Sequence, residues 1–367
     1  MSIDATAMPC RCCFHECRGF AGTMMRKTMS DHIRKILVLR RHNHVGDMLC
    51  SLPLYAALKT QWPESRISLL ATPTRYPIPL EQLNPFLDEV MYYHKGSVTT
   101  VLREQWKLRG RGFDMAIVPS TVALSQTSHI TAFLSGARRR VGISSLDGIE
   151  NPGRRWLNVT REVQWVTEQA HQMERNREIA ELAGCTQADV SLSALQLRPG
   201  DAAVSKAERW LEKLPRDVPL VGVHPGAGKP QNIWPTDRFI DVLRALHRDT
   251  GCAVVITSGA LDAQETAGLS AACEQLRIPH RILAQAEIPL LSAVLQALDL
   301  YLCNDTGTMH LAAFSGCPTV SLFGPTFAWE WAPVGARHRA VVSHDGDIIS
   351  IPIEEVQLAC REILGAG

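Results

Sequence analysis

Two short stretches of this 367-residue chain carry residue types that can bind and activate a substrate. Toward the C-terminus an apolar run ends in Asn304-Asp305-Thr306-Gly307, and a helical pattern through His310 begins at once. A helix start offers unpaired backbone N–H groups and the positive end of its dipole, so it suits a phosphate or a sugar oxygen. A second apolar run, Pro318 to Phe323, ends in Gly324-Pro325-Thr326. In the first half, the strand-like Ile36 to Arg40 opens into Arg41-His42-Asn43-His44-Val45-Gly46-Asp47. Gly46 lets the backbone turn tightly and approach a ligand, and places Asp47 at the top of a sheet as a candidate base. Asp47, Asp305 and Thr306 are equally plain helix N-caps, worth ~1 kcal/mol each. Residue type alone leaves both roles open.

A third stretch resembles the first two. Val221-Gly222-Val223-His224 leads into Pro225-Gly226-Ala227-Gly228-Lys229-Pro230-Gln231-Asn232-Ile233-Trp234-Pro235. The small residues Gly226 and Ala227 expose backbone amides, and Lys229 adds a point charge suited to phosphate. The Gly-x-x-x-x-Gly-Lys-Ser/Thr pattern of a P-loop is missing, and so is Gly-x-Gly-x-x-Gly, which weakens a dinucleotide redox reading. After the next apolar run, Asp262 and Glu265 can hold ribose hydroxyls or simply be solvated carboxylates at a helix start. Arg138-Arg139-Arg140, with Lys107, Arg109 and Arg111 nearby in sequence, are candidates for an anionic acceptor or a solvated basic face.

These stretches need elements to position them. Short apolar runs at Lys35–Arg40, Arg66–Ala71, Glu89–Tyr93, Met115–Val118 and Arg140–Ile143 read as strands covered on both faces. In the second half the same reading gives Leu220–His224, Ala253–Ser258, His280–Leu283, Leu300–Cys303 and Thr319–Phe323. Helical patterns such as Gln172–Ala183, Thr236–Asp249 and Pro289–Ala297 alternate with them, which implies parallel sheets in an α/β fold. A Pro199-Gly200 turn before a charged helix marks a break. We therefore expect one parallel-sheet α/β domain over residues 31–198 and a second over 199–350. Residues 351–367 are expected to form a helix able to cross back onto the first domain.

Composition narrows the setting. Residues 30–198 hold 21 Lys+Arg against 16 Asp+Glu, and residues 199–367 hold 13 against 19, so a basic half faces an acidic half. That asymmetry suggests an anionic partner on the N-terminal side. No apolar run approaches the ~18 residues of a membrane span. A polar N-terminus without a signal-peptide core points to the cytoplasm, peripheral at the inner face of the inner membrane at most. Seven cysteines are scattered through apolar segments like small hydrophobes. The other four, Cys10, Cys12, Cys13 and Cys17, crowd around His15 without the paired spacing of a structural zinc site, so residues 1–30 are expected to be an extension outside the fold. Basic residues do not interleave with stacking aromatics, which argues against nucleic acid.

Gly-Asp after the first strand, Pro-Gly-Ala-Gly…Trp-Pro after the break, and Cys303-Asn304-Asp305-Thr306-Gly307-Thr308-Met309-His310-Leu311-Ala312-Ala313 followed by Phe323-Gly324-Pro325-Thr326 occur in a fixed order. In that order and spacing the chain resembles the glycosyltransferase family nine heptosyltransferases, from about Ile33 to Leu364. The resemblance implies a GT-B fold, two Rossmann-like parallel-sheet domains facing across a cleft. It implies an ADP-heptose donor on the second domain and a lipid-linked, anionic glycan acceptor of the lipopolysaccharide core on the first. It also implies inverting transfer with no metal and no cofactor. Carried over by position, Asp47 resembles the general base and Asp305 the donor-sugar ligand. Thr306 and Gly307 resemble diphosphate contacts through their amides, and His310 a further donor contact. His44 and Arg138–Arg140 fall to the acceptor side.

One position departs from the pattern. Family members commonly carry Lys or Arg two residues before the Trp-Pro pair, where this chain has Asn232. Lys229, three residues earlier, is the nearest substitute cation. The competing readings are a nucleotide-sugar epimerase or hydrolase of the same architecture, and a silent nucleotide-sugar-binding protein. Retention of Asp47 argues against silence, since a pure binder needs no base.

Overall fold

The computed structural model describes residues 32–40, 43–73, 78–93 and 97–365. The cysteine cluster and the rest of the N-terminal extension lie outside the described residues. The first sheet contains β1 (Lys35–Arg40), β2 (Arg66–Ala71), β3 (Glu89–Tyr92), β4 (Met115–Val118), β5 (Arg139–Leu146), β6 (Ile149–Glu150) and β7 (Val159–Val163). The second contains β8 (Leu220–His224), β9 (Ala253–Ser258), β10 (His280–Ala284), β11 (Leu300–Asn304), β12 (Thr319–Phe323) and β13 (His338–Val342). The first runs in the order β3-β2-β1-β4-β5-β6, with β7 beside β5, and the second in the order β10-β9-β8-β11-β12-β13. Among the described residues only the β5–β6 pairing is antiparallel. Strand order thus reverses between β1 and β4 and again between β8 and β11. In doubly wound sheets ligands collect beyond the carboxyl ends of the strands at such reversals.

Several strands read from apolar runs are buried on both faces, β4, β11 and β12 along their whole length, whereas β3 and β10 are only partly covered. The sequence reading missed β6, β7 and β13. In β7 the central Thr160, Arg161 and Glu162 are exposed, and in β13 only Val341 is buried, so neither presents a continuous apolar run. A turn signal for β6 was present. Asp147 (φ 48°) and Gly148 (φ 79°) make the left-handed pair that closes a tight hairpin.

One continuous apolar cluster runs from Ile36 and Val38 of the first sheet through Met48 and Leu49 to Met309, Leu311 and Tyr301 of the second. The final helix, Ile353–Leu364, corrects an expectation, because it stays on the second sheet. Its stripe Val356, Ala359 and Cys360 joins the cluster of Leu243, Val254 and Leu302, and Arg361 pairs with Asp249 at 2.8 Å. Among the described residues no helix is long and apolar enough to cross a membrane.

Candidate active site

The two halves meet at two helix starts. The helix Val45–Leu49 follows β1, and the helix Gly307–Phe314 follows β11. A Cβ on Gly46 would lie 2.7 Å from Cδ2 of His310, and one on Gly307 would lie 2.9 Å from Cβ of Val45. Both separations are shorter than real Cβ atoms show, so glycine is required at each point for the helix starts to touch. Adding even a methyl there is overpacking, which costs ~1–3 kcal/mol. We expect Gly46→Ala to lower turnover about tenfold or more together with the thermal midpoint, and His310→Ala in that background to recover part of the lost stability by vacating the space. Thermal midpoints of both variants decide it, and a fully active, fully stable Gly46→Ala enzyme counts against this contact.

Asp47 sits in the first turn of its helix and is 8% exposed. Its Oδ2 accepts the His44 backbone N–H at 3.1 Å. The N-cap is His44 and not Asp47, because the helix starts at Val45; Asp47 is its third residue and reaches back to the cap N–H with one oxygen only. The helix is further fixed by Arg40, whose Nη2 donates to the Asp47 carbonyl at 3.1 Å. The neighbourhood is shared with the second domain. Burial foremost, then the Asp47 carboxylate, pushes the Cys50 thiol far up, with Asp305 adding and Arg40 opposing. Cys50 Sγ also lies 3.5 Å from Nδ1 of His310.

The opposite wall is built around Asn304 and Asp305. Asn304, fully buried at the end of β11, donates to the carbonyls of Pro225 (2.8 Å) and Gly226 (3.2 Å) and accepts the Trp234 N–H at 3.1 Å. It thereby stitches both ends of the loop after β8 to the next strand. Gly226 is required here because a Cβ would meet that of Asp262 at 2.5 Å. Asp262 in turn accepts the Gly259 N–H at 2.9 Å and faces His224, which burial keeps neutral. The buried Asn232 donates to Asp305 Oδ2 at 2.9 Å and to Thr326 Oγ1 at 3.2 Å. A neutral amide thus stands where the resemblance predicts a cation. Burial pushes the Asp305 carboxyl up, opposed by Thr326 and by the charge of exposed Lys229. Thr306 starts the Gly307 helix with no side-chain cap, which leaves the first backbone N–H groups open to a ligand.

Sequence reasoning missed a clasp between the domains. Arg175, in the helix Gln172–Ala183, pairs with Glu330 at 2.9 Å and donates to the Thr121 carbonyl at 2.8 Å. Gln172 reaches the same Glu330 oxygen at 2.8 Å, and His171 Nε2 contacts the Ala332 carbonyl at 3.0 Å. Breaking a buried pair of this kind costs roughly 3–5 kcal/mol. Nothing in the amphipathic pattern of either segment announced it, since the partners lie over 150 residues apart.

The clasp and the helix contact share a pH dependence. Burial foremost lowers His310 to about 3 and His171 to about 4, so both are neutral in the fold. Unfolded, each titrates near ~6.5, so the unfolded chain binds more protons as pH falls below that value. Stability contributed by these groups is present above pH ~6.5 and declines by up to ~1.4 kcal/mol per unit for each His down to pH about 4. We expect the thermal midpoint to fall through this window and His310→Asn to flatten the slope. An unchanged slope in that variant would exclude His310 as a contributor.

Not every residue singled out in the sequence reaches the cleft. Asp47, Asp305, Thr306, Gly307, His310, Gly226 and Asn232 gather at the facing carboxyl ends. Ala227 is half-buried and Lys229 exposed on the same loop, and His44 is exposed at the start of the Asp47 helix. Glu265 lies half-buried in the first turn of the helix after β9. Arg138–Arg140 must be moved. Arg139 begins β5 opposite Met115, the first residue of β4, at the amino end of a parallel sheet and far from Asp47. Arg139 is spent on the Ala183 carbonyl and Arg140 on those of Trp156 and Ala137. The charge run marks a strand entry at the amino end of the sheet.

A sequence model of glycosyltransferase family 9 (heptosyltransferase) matches residues 101–355. The chain belongs to this family. Lipopolysaccharide heptosyltransferase 3 of Escherichia coli K12 is 26% identical over 348 residues, covering 87% of this chain and 95% of the relative. The family 9 glycosyl transferase of Veillonella parvula superposes with a TM-score of 0.73 at 19% identity, covering 91% and 98% of the two chains. Escherichia coli ADP-heptose lps heptosyltransferase II gives 0.70 at 24% identity, covering 90% and 98%. The fold is GT-B, as the residue order implied. Within that fold the family 9 pattern explains the paired helix starts, one per domain.

Proposed function

We propose that this glycosyltransferase moves a heptose from ADP-heptose to a hydroxyl of a lipopolysaccharide-core sugar, with inversion and without a metal. The observation that carries the reading is the meeting of Asp47 and the Asp305–Gly307 turn across the domain boundary. Asp47 takes the proton of the acceptor hydroxyl as its oxygen bonds to the anomeric carbon. The bond from that carbon to the diphosphate oxygen breaks, and ADP leaves with the electron pair. Charge on the departing diphosphate falls on the open N–H groups of the Gly307 helix and on Lys229. Asp305 holds the sugar, and His310, kept neutral by burial, completes the donor wall. Two of the relatives are lipopolysaccharide heptosyltransferases, one of them named for ADP-heptose, which supports this donor and acceptor class. The test is mass spectrometry of products with ADP-heptose, UDP-sugars and GDP-sugars offered against core acceptors, followed by NMR of the new linkage. Transfer from ADP-heptose with the opposite anomeric configuration is expected. Retention of configuration, or binding of every donor without transfer, would overturn it.

A further inference from the structure

With the Arg138–Arg140 run at the far end of the sheet, a different cation occupies the crevice of the first domain. Arg40 ends β1 and is 6% exposed. Its Nη1 donates to Asn176 Oδ1 and its Nη2 to the Asp47 carbonyl, each at 3.1 Å, while Nε has no partner. No carboxylate pairs with it among the described residues. Arg175, similarly buried, is paired with Glu330. A guanidinium this deep is ordinarily matched by an anion.

Arg40 lines two adjoining cavities beyond the carboxyl end of β1, one of about 130 Å³ on the β2 side, walled by Leu70, Ala71 and Thr72, and one of about 20 Å³ on the β4 side, walled by Val118 and Ser120. Ser125 and Ser128 line both, and Arg40 is the one charged side chain of either wall among the described residues. Ser120 contributes a second unpartnered polar atom, its Oγ, and holds a left-handed φ of 52°. Backbone strain of that kind persists where the surroundings impose it, often at ligand sites. The first turn of the helix Gln126–Leu134 also borders the space, adding the positive end of its dipole. The smaller cavity lies where strand order reverses in the first sheet, between β1 and β4, and the larger one adjoins it on the β2 side.

We propose that this crevice recognises one anionic group carried on a sugar, a carboxylate or a phosphate, through the Arg40 Nε–H with the Ser120 and Ser128 hydroxyls. The inference rests on the proposed function only in taking that sugar to be the acceptor. The same guanidinium would then hold the acceptor's charge and the backbone of Asp47. Ligand-observed NMR on the full chain tests it, with gluconate as the carboxylate arm, glucose 6-phosphate as the phosphate arm and glucose as the neutral control. At least one anion should bind at least tenfold more tightly than glucose, and the tighter arm identifies the group. Arg40→Gln should weaken that binding tenfold or more. Ser120→Ala, which removes a hydroxyl with no partner in the fold, should weaken it about threefold at an unchanged thermal midpoint. Arg138→Gln should leave it intact, and ADP binding should be normal in all three. Glucose binding as well as the anions, no binding of either anion, or binding unaltered by both Ser120→Ala and Arg40→Gln would overturn the site. Anion binding that depends on Arg40 in a chain that transfers no sugar would sink the proposed reaction and leave this site standing.

Discussion

Replacing Asp47 with Asn should abolish most turnover while leaving the nucleotide affinity of the second domain unchanged. The substitution is close to silent for the fold. Asn still offers an oxygen to the His44 N–H, and the Arg40 bond goes to the backbone carbonyl, which Asn retains. What disappears is the capacity to take a proton. A positioned base contributes ~10²–10⁴-fold, so the rate should fall by that factor. If Asp47 were only a cap, the effect would be a stability change below ~1 kcal/mol with near-normal kinetics. Turnover within threefold of wild type, with an unchanged thermal midpoint, removes Asp47 from the chemistry.

The sequence disclosed what is local and continuous. Parallel strands at the sheet centres print as unbroken apolar runs, and ten of the thirteen strands among the described residues were legible, several to the residue. Helix starts after β1 and β11 were legible because Gly-Asp and Asn-Asp-Thr-Gly interrupt those runs with residues that only a turn or a site accommodates. Edge strands were not legible, because β7 sets three polar residues, Thr160, Arg161 and Glu162, between its two valines and looks like a solvated loop. The greatest loss was in pairings that span the chain. The Arg175–Glu330 clasp, the Asn232–Asp305 bridge and the Gly46–His310 contact join residues far apart in sequence, and periodicity carries no information on such partners. Arg40 did leave a trace, as a charge ending an otherwise apolar strand. The arginine triplet drew attention instead because three adjacent charges are more conspicuous than one buried one.

The second large effect concerns the cation that this chain lacks at position 232. Lys229→Ala should slow transfer about tenfold to a hundredfold, and Asn232→Lys in that background should restore part of it. The argument is electrostatic. A departing diphosphate gains charge in a closed cleft, where a cation ~4 Å away is worth ~4 kcal/mol at an effective dielectric of ~20. Backbone N–H groups of the Gly307 helix supply only partial charges. Lys229 is exposed, but its charge reaches the site, because it pulls down the Asp305 carboxyl that burial pushes up. Asn232 is placed to host a replacement. Its amide lies 2.9 Å from Asp305, and its own Oδ1 has no partner to forfeit. An ammonium there would meet a carboxylate directly and lower it further, so burial of the new charge would be compensated. Single-turnover rates at saturating donor separate this from donor binding. Should Lys229→Ala transfer at the wild-type rate, the helix start at Thr306 and Gly307 carries the leaving group without a lysine, and Asn232→Lys should then change affinity for ADP but not the rate.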